Sequence, residues 1–103
     1  MTITRTPSTD LTTLEHDMDT ADRAIKGIEN DLAGMRQEYV ERRFARDAHI
    51  AARRFDEARY EESQLYKLDQ ALATTAQALQ QMSKRAATLH IAYNRARLGI
   101  KSS

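Results

Sequence analysis

Residues 65–96 read LYKLDQALATTAQALQQMSKRAATLHIAYNRA, and the spacing of their apolar side chains decides the fold. The positions of this C-terminal stripe alternate in steps of three and four: Leu65, Leu68, Leu72, Thr75, Leu79, Met82, Ala86, Leu89, Tyr93 and Ala96. Such steps place side chains on one face of an α-helix, as in the a and d positions of a coiled coil. The helix is expected to stop at Gly99, since a glycine followed by the apolar Ile100 is typical of a Schellman motif.

A second stripe with the same spacing occupies the first part of the chain. Its positions are Leu11, Leu14, Met18, Ala21, Ile25, Ile28, Leu32, Met35 and Tyr39. The residues before it, MTITRTPST at 1–9, are short and polar, and they predict a flexible N-terminal arm. Four residues are candidate N-caps for the helix that follows: Ser8, Thr9, Asp10 and Thr12. Thr12 and Glu15 also have the spacing of a capping box.

A middle stripe lies out of phase with both of the others. It consists of Phe44, Ala48, Ala51, Phe55 and Ala58. After Tyr39 the next position of the N-terminal stripe is Arg42, whereas the next apolar residue of the middle stripe is Phe44. We therefore expect discontinuities near residues 40–43 and 62–64, each of them a turn or a stutter within a helix.

The three stripes predict an all-α protein, with residues 10–100 forming a single coiled-coil domain. Glycine and proline are absent from residues 35–98, which favours few interruptions. The preferred arrangement is an antiparallel helical hairpin with a first helix at about 10–38 and one long second helix at about 41–98. A three-helix bundle, broken at both discontinuities, is the alternative. A lone hairpin of such unequal helices leaves part of a stripe uncovered, so we expect a partner chain, most simply a second copy.

Composition excludes several classes of site. The chain has 103 residues and no cysteine, which excludes disulfides, thiolate metal sites and a cysteine nucleophile. His16, His49 and His90 are isolated from one another and match no metal-binding or catalytic spacing, so we expect no enzyme activity, metal or cofactor. No apolar stretch is long enough to span a bilayer and no signal peptide is recognisable, so the expected setting is the cytoplasm, with no membrane partner.

Charge is unevenly distributed although the formal net charge is only +1. Residues 10–31 contain seven acidic and two basic side chains, a net charge of −5. Residues 70–103 contain five basic side chains and no acidic one, a net charge of +5. An antiparallel hairpin brings these two segments together, and their opposite charges favour that orientation.

Arginine is concentrated in residues 36–59, which contain seven of them. On one continuous helix, six of the seven fall within a sector of about 120°, and Tyr39 falls inside it. This predicts a face for a protein partner or for nucleic acid, formed by Arg36, Tyr39, Arg42, Arg43, Arg46, Arg53 and Arg54. Nearby carboxylates at i,i+4 spacing, such as Glu38 before Arg42, favour instead an ordinary solvated helix face.

The function expected from these patterns is a small, non-enzymatic helical module for protein–protein interaction, of the adaptor, chaperone or inhibitor type. We expect it to self-associate, with a homodimer as the simplest form. The expected helix seam and oligomer interface is formed by Leu65, Leu68, Leu72, Leu79, Met82 and Leu89. The alternative is a nucleic-acid-binding accessory protein that uses the arginine-rich face at residues 36–59.

Overall fold

The computed structural model of the chain describes residues 11–99, which form a helical hairpin. Helix α1 comprises Leu11–Ala51 (41 residues) and helix α2 comprises Phe55–Arg97 (43 residues). No strand occurs between residues 11 and 99. The predicted all-α antiparallel hairpin is thus confirmed. Residues 1–10 and 100–103, including the predicted N-terminal arm and the cap candidates Ser8, Thr9 and Asp10, lie outside the described residues.

The predicted position of the turn is wrong. The chain reverses at residues 52–54, so the helices are nearly equal in length and no single helix covers 41–98. The three-helix alternative is wrong for residues 11–99 as well, since neither expected discontinuity breaks a helix. The reason is that the inward face of α1 continues in step past Tyr39 with polar residues. Arg42, Arg46 and His49 are half-buried at the positions that the N-terminal stripe reaches next.

The hairpin consists of two compact units, and the first of them contains the turn. It comprises residues 28–78. Its buried apolar side chains are Leu32, Ala58 and Leu65. The middle stripe is not a packing face in this unit, because Phe44, Ala48, Ala51 and Phe55 are all exposed. Of its five members only Ala58 is buried.

The second unit contains the start of α1 and the end of α2. Its described residues are 11–27 and 79–99, and its buried side chains are Leu14, Ala21 and Ala86. This unit brings the acidic start of α1 to the end of α2, but among its described residues no lysine or arginine pairs with a carboxylate across the two helices, so the attraction between their opposite charges stays a prediction. His90 Nε2 lies 3.4 Å from Asp22 Oδ1 across the two helices.

The two outer helix ends differ in how well their capping was predicted. Gly99 adopts a positive φ of 70°, and its N–H donates to the Ala96 carbonyl at 3.2 Å. Gly99 therefore ends α2 as predicted, while its apolar neighbour Ile100 lies outside the described residues. Thr12 already lies inside α1, so the predicted capping box with Thr12 as N-cap is wrong.

Candidate interaction surface

The turn between the helices is made without glycine or proline. Arg53 has a positive φ of 59°. Its N–H donates to the Ile50 carbonyl at 3.0 Å, and the Arg54 N–H donates to the His49 carbonyl at 2.8 Å. These two bonds are those of a Schellman motif, in which the left-handed residue is usually glycine. The carbonyl of Arg54 then accepts from the Ala58 N–H at 3.0 Å, which begins α2.

A side-chain hydrogen bond closes the same turn. Arg54 Nε donates to His49 Nδ1 at 3.0 Å. In most Schellman motifs an apolar contact joins the two positions that His49 and Arg54 occupy. The turn is therefore held by polar groups, and one of the predicted face arginines is engaged in it.

Arg42 connects the two helices. Its Nε donates to Glu38 Oε2 at 2.9 Å on its own helix, and its terminal nitrogen donates to Glu61 Oε2 on α2 at 3.3 Å. Its side chain is 27% exposed and that of Glu61 is 13% exposed. The hydrogen bond that Arg42 donates to Glu38 raises the pKa of Arg42, burial opposes the rise, and Glu61 adds to it. Arg42 is thus a seam residue rather than part of an open face.

Arg46 forms a second connection one turn further along α1. It donates to Glu62 on α2 at 2.9 Å and also to its neighbour Asp47. Its side chain is 25% exposed. Hydrogen bonds to Glu62 and then to Asp47 raise the pKa of Arg46, against a smaller opposing effect of burial. The seam between the two helices is therefore ionic near the turn, and the periodicity of apolar residues cannot identify these contacts.

The predicted arginine-rich face is divided by these contacts and by the turn. Tyr39 is half-buried on the seam, and Arg59 pairs with Asp56 at 3.3 Å on α2. Arg36, Arg43 and Arg53 are exposed, and within residues 11–99 none of them forms an ion pair or a side-chain hydrogen bond. Of the predicted set, these three guanidinium groups are the ones left for a partner.

Exposed apolar side chains lie beside Arg36 and Arg43. Phe44 is 78% exposed and Val40 is 66% exposed. At 100° per residue, Phe44 lies about 160° from both Arg42 and Arg46, which places it on the side of α1 opposite the seam. We call this side the outer ridge; its members are Val40, Phe44, Ala48 and Ala51. Sequence periodicity identified three of these residues, but as a packing stripe inside the fold.

The predicted seam and oligomer residues all lie on the inward face of α2. Leu65 is buried. Five others are half-buried: Leu68, Leu72, Leu79, Met82 and Leu89. Their burial comes from packing within one chain. The remaining exposure of these five side chains is what a second chain has available to cover.

Acidic residues near the start of α1 line a shallow open depression with a volume of about 520 Å³. Each has a partner within the chain: Glu15 accepts from the Tyr93 hydroxyl at 3.1 Å, Asp19 pairs with Arg23, and Asp22 faces His90. The bond to Glu15, followed by burial, raises the pKa of Tyr93. Within residues 11–99 no group of side chains has the composition and spacing of a metal site.

Neither helix, over residues 11–99, contains a stretch apolar enough to cross a bilayer. The chain matches no protein-family model, no curated protein and no solved structure. Its function is therefore inferred from its own side chains.

Proposed function

We propose that this chain is a non-enzymatic, self-associating module for protein–protein interaction, and that it acts in the cytoplasm. The observation that carries the proposal is the incomplete burial of its helical seam. Leu68, Leu72, Leu79, Met82 and Leu89 face inward and yet are only partly buried. Apolar surface removed from water stabilises by about 25 cal/mol per Å², so a second chain that covers these residues gains free energy from a surface already ordered.

The small number of buried apolar side chains supports the same proposal. Among residues 11–99 they are three leucines and three alanines. A buried leucine contributes about 1.5–3 kcal/mol relative to an exposed one, and an alanine contributes less. Two helices have only one mutual seam in which to bury apolar groups, whereas a four-helix assembly of two hairpins has a shared core. We propose a homodimer as the form that supplies it.

The test is the oligomeric state of a seam variant compared with that of a neighbouring control. Leu72→Asp places a carboxylate on the seam, and Ala73→Asp places the same charge on the exposed side of the same turn. Multi-angle light scattering should give a dimer for the wild type and for Ala73→Asp. Leu72→Asp should give a monomer, because an unpaired charge is costly to bury. A monomeric wild type at micromolar concentration would contradict self-association.

Nucleic-acid binding is the second candidate, favoured by the exposed guanidinium groups of Arg36, Arg43 and Arg53. Its support is weaker, because Arg42 and Arg46 are engaged with glutamates and Tyr39 is half-buried. Phosphate contacts give an affinity that falls steeply with salt. Titration of a labelled single strand at low and at physiological salt decides this, and absence of binding at low salt would exclude it.

A further inference from the structure

We infer that the outer ridge on α1, together with Arg36 and Arg43, binds an amphipathic α-helix of another protein whose apolar stripe is flanked by acidic residues. The inference rests on the proposed function, since it names the surface and the kind of partner of an interaction module. The proposed binding surface lies entirely within the unit formed by residues 28–78.

The first step is the apolar content of the ridge. Val40, Phe44, Ala48 and Ala51 fall within a sector of about 80° and span three turns of helix. All four are exposed. A narrow straight ridge of this kind fits into the groove between side-chain rows of another helix. Phe44 is the natural anchor, since aromatic residues are enriched at the centre of interfaces and dominate their energetics.

The second step is the charge beside the ridge. Arg36 and Arg43 lie within about 60° of Val40 on the helix surface. Both are exposed and without an ion pair among the described residues. Asp47 pairs with Arg46 at 3.0 Å. Glu41 accepts a hydrogen bond only from the neutral Gln37 and keeps its charge, but it lies on the other side of the ridge, about 140–160° from Arg36 and Arg43. The uncompensated charge on the flank that carries Arg36 and Arg43 is therefore positive.

The third step is the spacing of that charge. Arg36 and Arg43 are seven residues apart, which corresponds to about 10.5 Å along a helix. A partner helix meets both guanidinium groups when its carboxylates are also one heptad apart and border its apolar stripe. Bidentate arginine–carboxylate pairs then fix its register. A second copy of the chain fits this description poorly here, since an antiparallel copy centred on the ridge presents the same arginine flank.

The experiment is a selection from a displayed library of 18-residue helices. All members carry leucine in a stripe with steps of three and four, and the flanking positions vary among glutamate, lysine and glutamine. We expect the full chain to enrich glutamate at flanks seven residues apart. The enriched peptide should bind at least tenfold more weakly to Phe44→Ser and to Arg43→Glu. It should bind Ile91→Ser unchanged, since Ile91 is exposed but lies in the other unit.

Three results would overturn the inference. The first is a selection with no preference for glutamate, or with no binder at all. The second is an enriched peptide that binds Phe44→Ser as well as the wild type, while circular dichroism shows both proteins to be folded. The third is loss of the wild-type dimer in Phe44→Ser, which would show that a second copy covers the ridge. A wild-type dimer that persists while the selection fails leaves self-association intact, so the two proposals fail separately.

Discussion

Arg53 adopts a left-handed backbone conformation, which raises the free energy of the folded chain. A left-handed residue with a Cβ costs roughly 1–2 kcal/mol, and glycine avoids this cost but loses more entropy on folding. We expect Arg53→Gly to stabilise the chain by about 1 kcal/mol, or about 4–8 °C in Tm for a domain of this size. Thermal unfolding followed by circular dichroism measures it. The control is Arg53→Ala, which removes the charge but keeps the Cβ; an equal gain there would assign the effect to charge rather than to the backbone.

The hydrogen bond from Tyr93 to Glu15 makes the free energy of unfolding depend on pH in the alkaline range. Because the pKa of Tyr93 is raised in the folded chain, its contribution is present below the ordinary value of 10.0 and is lost as the pH rises through the raised pKa. Tyr93→Phe should therefore lower the urea midpoint near neutral pH and leave it unchanged once Tyr93 is ionised. Tyr66→Phe, at an exposed site, should match the wild type throughout. A constant difference between Tyr93→Phe and wild type at all pH values would contradict this account.

At the scale of the helices, the apolar stripes were predictable and the ionic part of the seam was not. The stripes at 11–39 and 65–96 identify the inward faces of both helices correctly, because leucine, isoleucine and methionine dominate them. Between these stripes the inward positions hold Arg42, Arg46 and Glu61, which look like solvated residues when only hydrophobicity is followed. The available signal was the step itself: a step of three from Tyr39 leads to Arg42, and a further step of four leads to Arg46. The turn at 52–54 has no residue that marks it.

The sequence predicted the candidate surface only as a segment rich in arginine, without showing which arginines are free. Sequence identified the arginines of residues 36–59, but which of them are free depends on carboxylates that reach them across the turn. Glu61 and Glu62 engage Arg42 and Arg46, and no spacing rule along a single helix reveals these pairs. The exposure of Phe44 follows from the same cause. Once the polar positions face inward, the apolar residue two positions away must face outward.

The connection between Arg42 and Glu61 should behave as a coupled pair. Arg42→Glu places a third carboxylate beside Glu38 and Glu61, so it should lower the urea midpoint and speed amide exchange around the turn. Adding Glu61→Arg should recover much of the loss. Arg36→Glu is the matched control, because Arg36 forms no ion pair among the described residues, and its effect should be small. If the double variant is no more stable than Arg42→Glu alone, the two side chains are not coupled.

At the scale of the whole molecule, the phase of the two stripes has a consequence for how chains are connected. His49 is the last inward residue of α1 and Ala58 the first of α2, nine positions later. Deleting residues 50–54 leaves them four apart, which joins both stripes into one unbroken alternation of three and four. Such a chain has no reversal, so each copy should exchange helices with another in a domain swap.

Cysteines at positions 22 and 90 report this exchange, because Asp22 and His90 face each other across the helices. With the turn intact, a short bifunctional thiol cross-linker should join Asp22→Cys and His90→Cys within one chain, and after the deletion the cross-link should join two chains on a denaturing gel. Covalent monomers in the deletion variant would contradict the exchange. If the exchange occurs, the five residues 50–54 determine whether the two helices pair within one chain or between two chains.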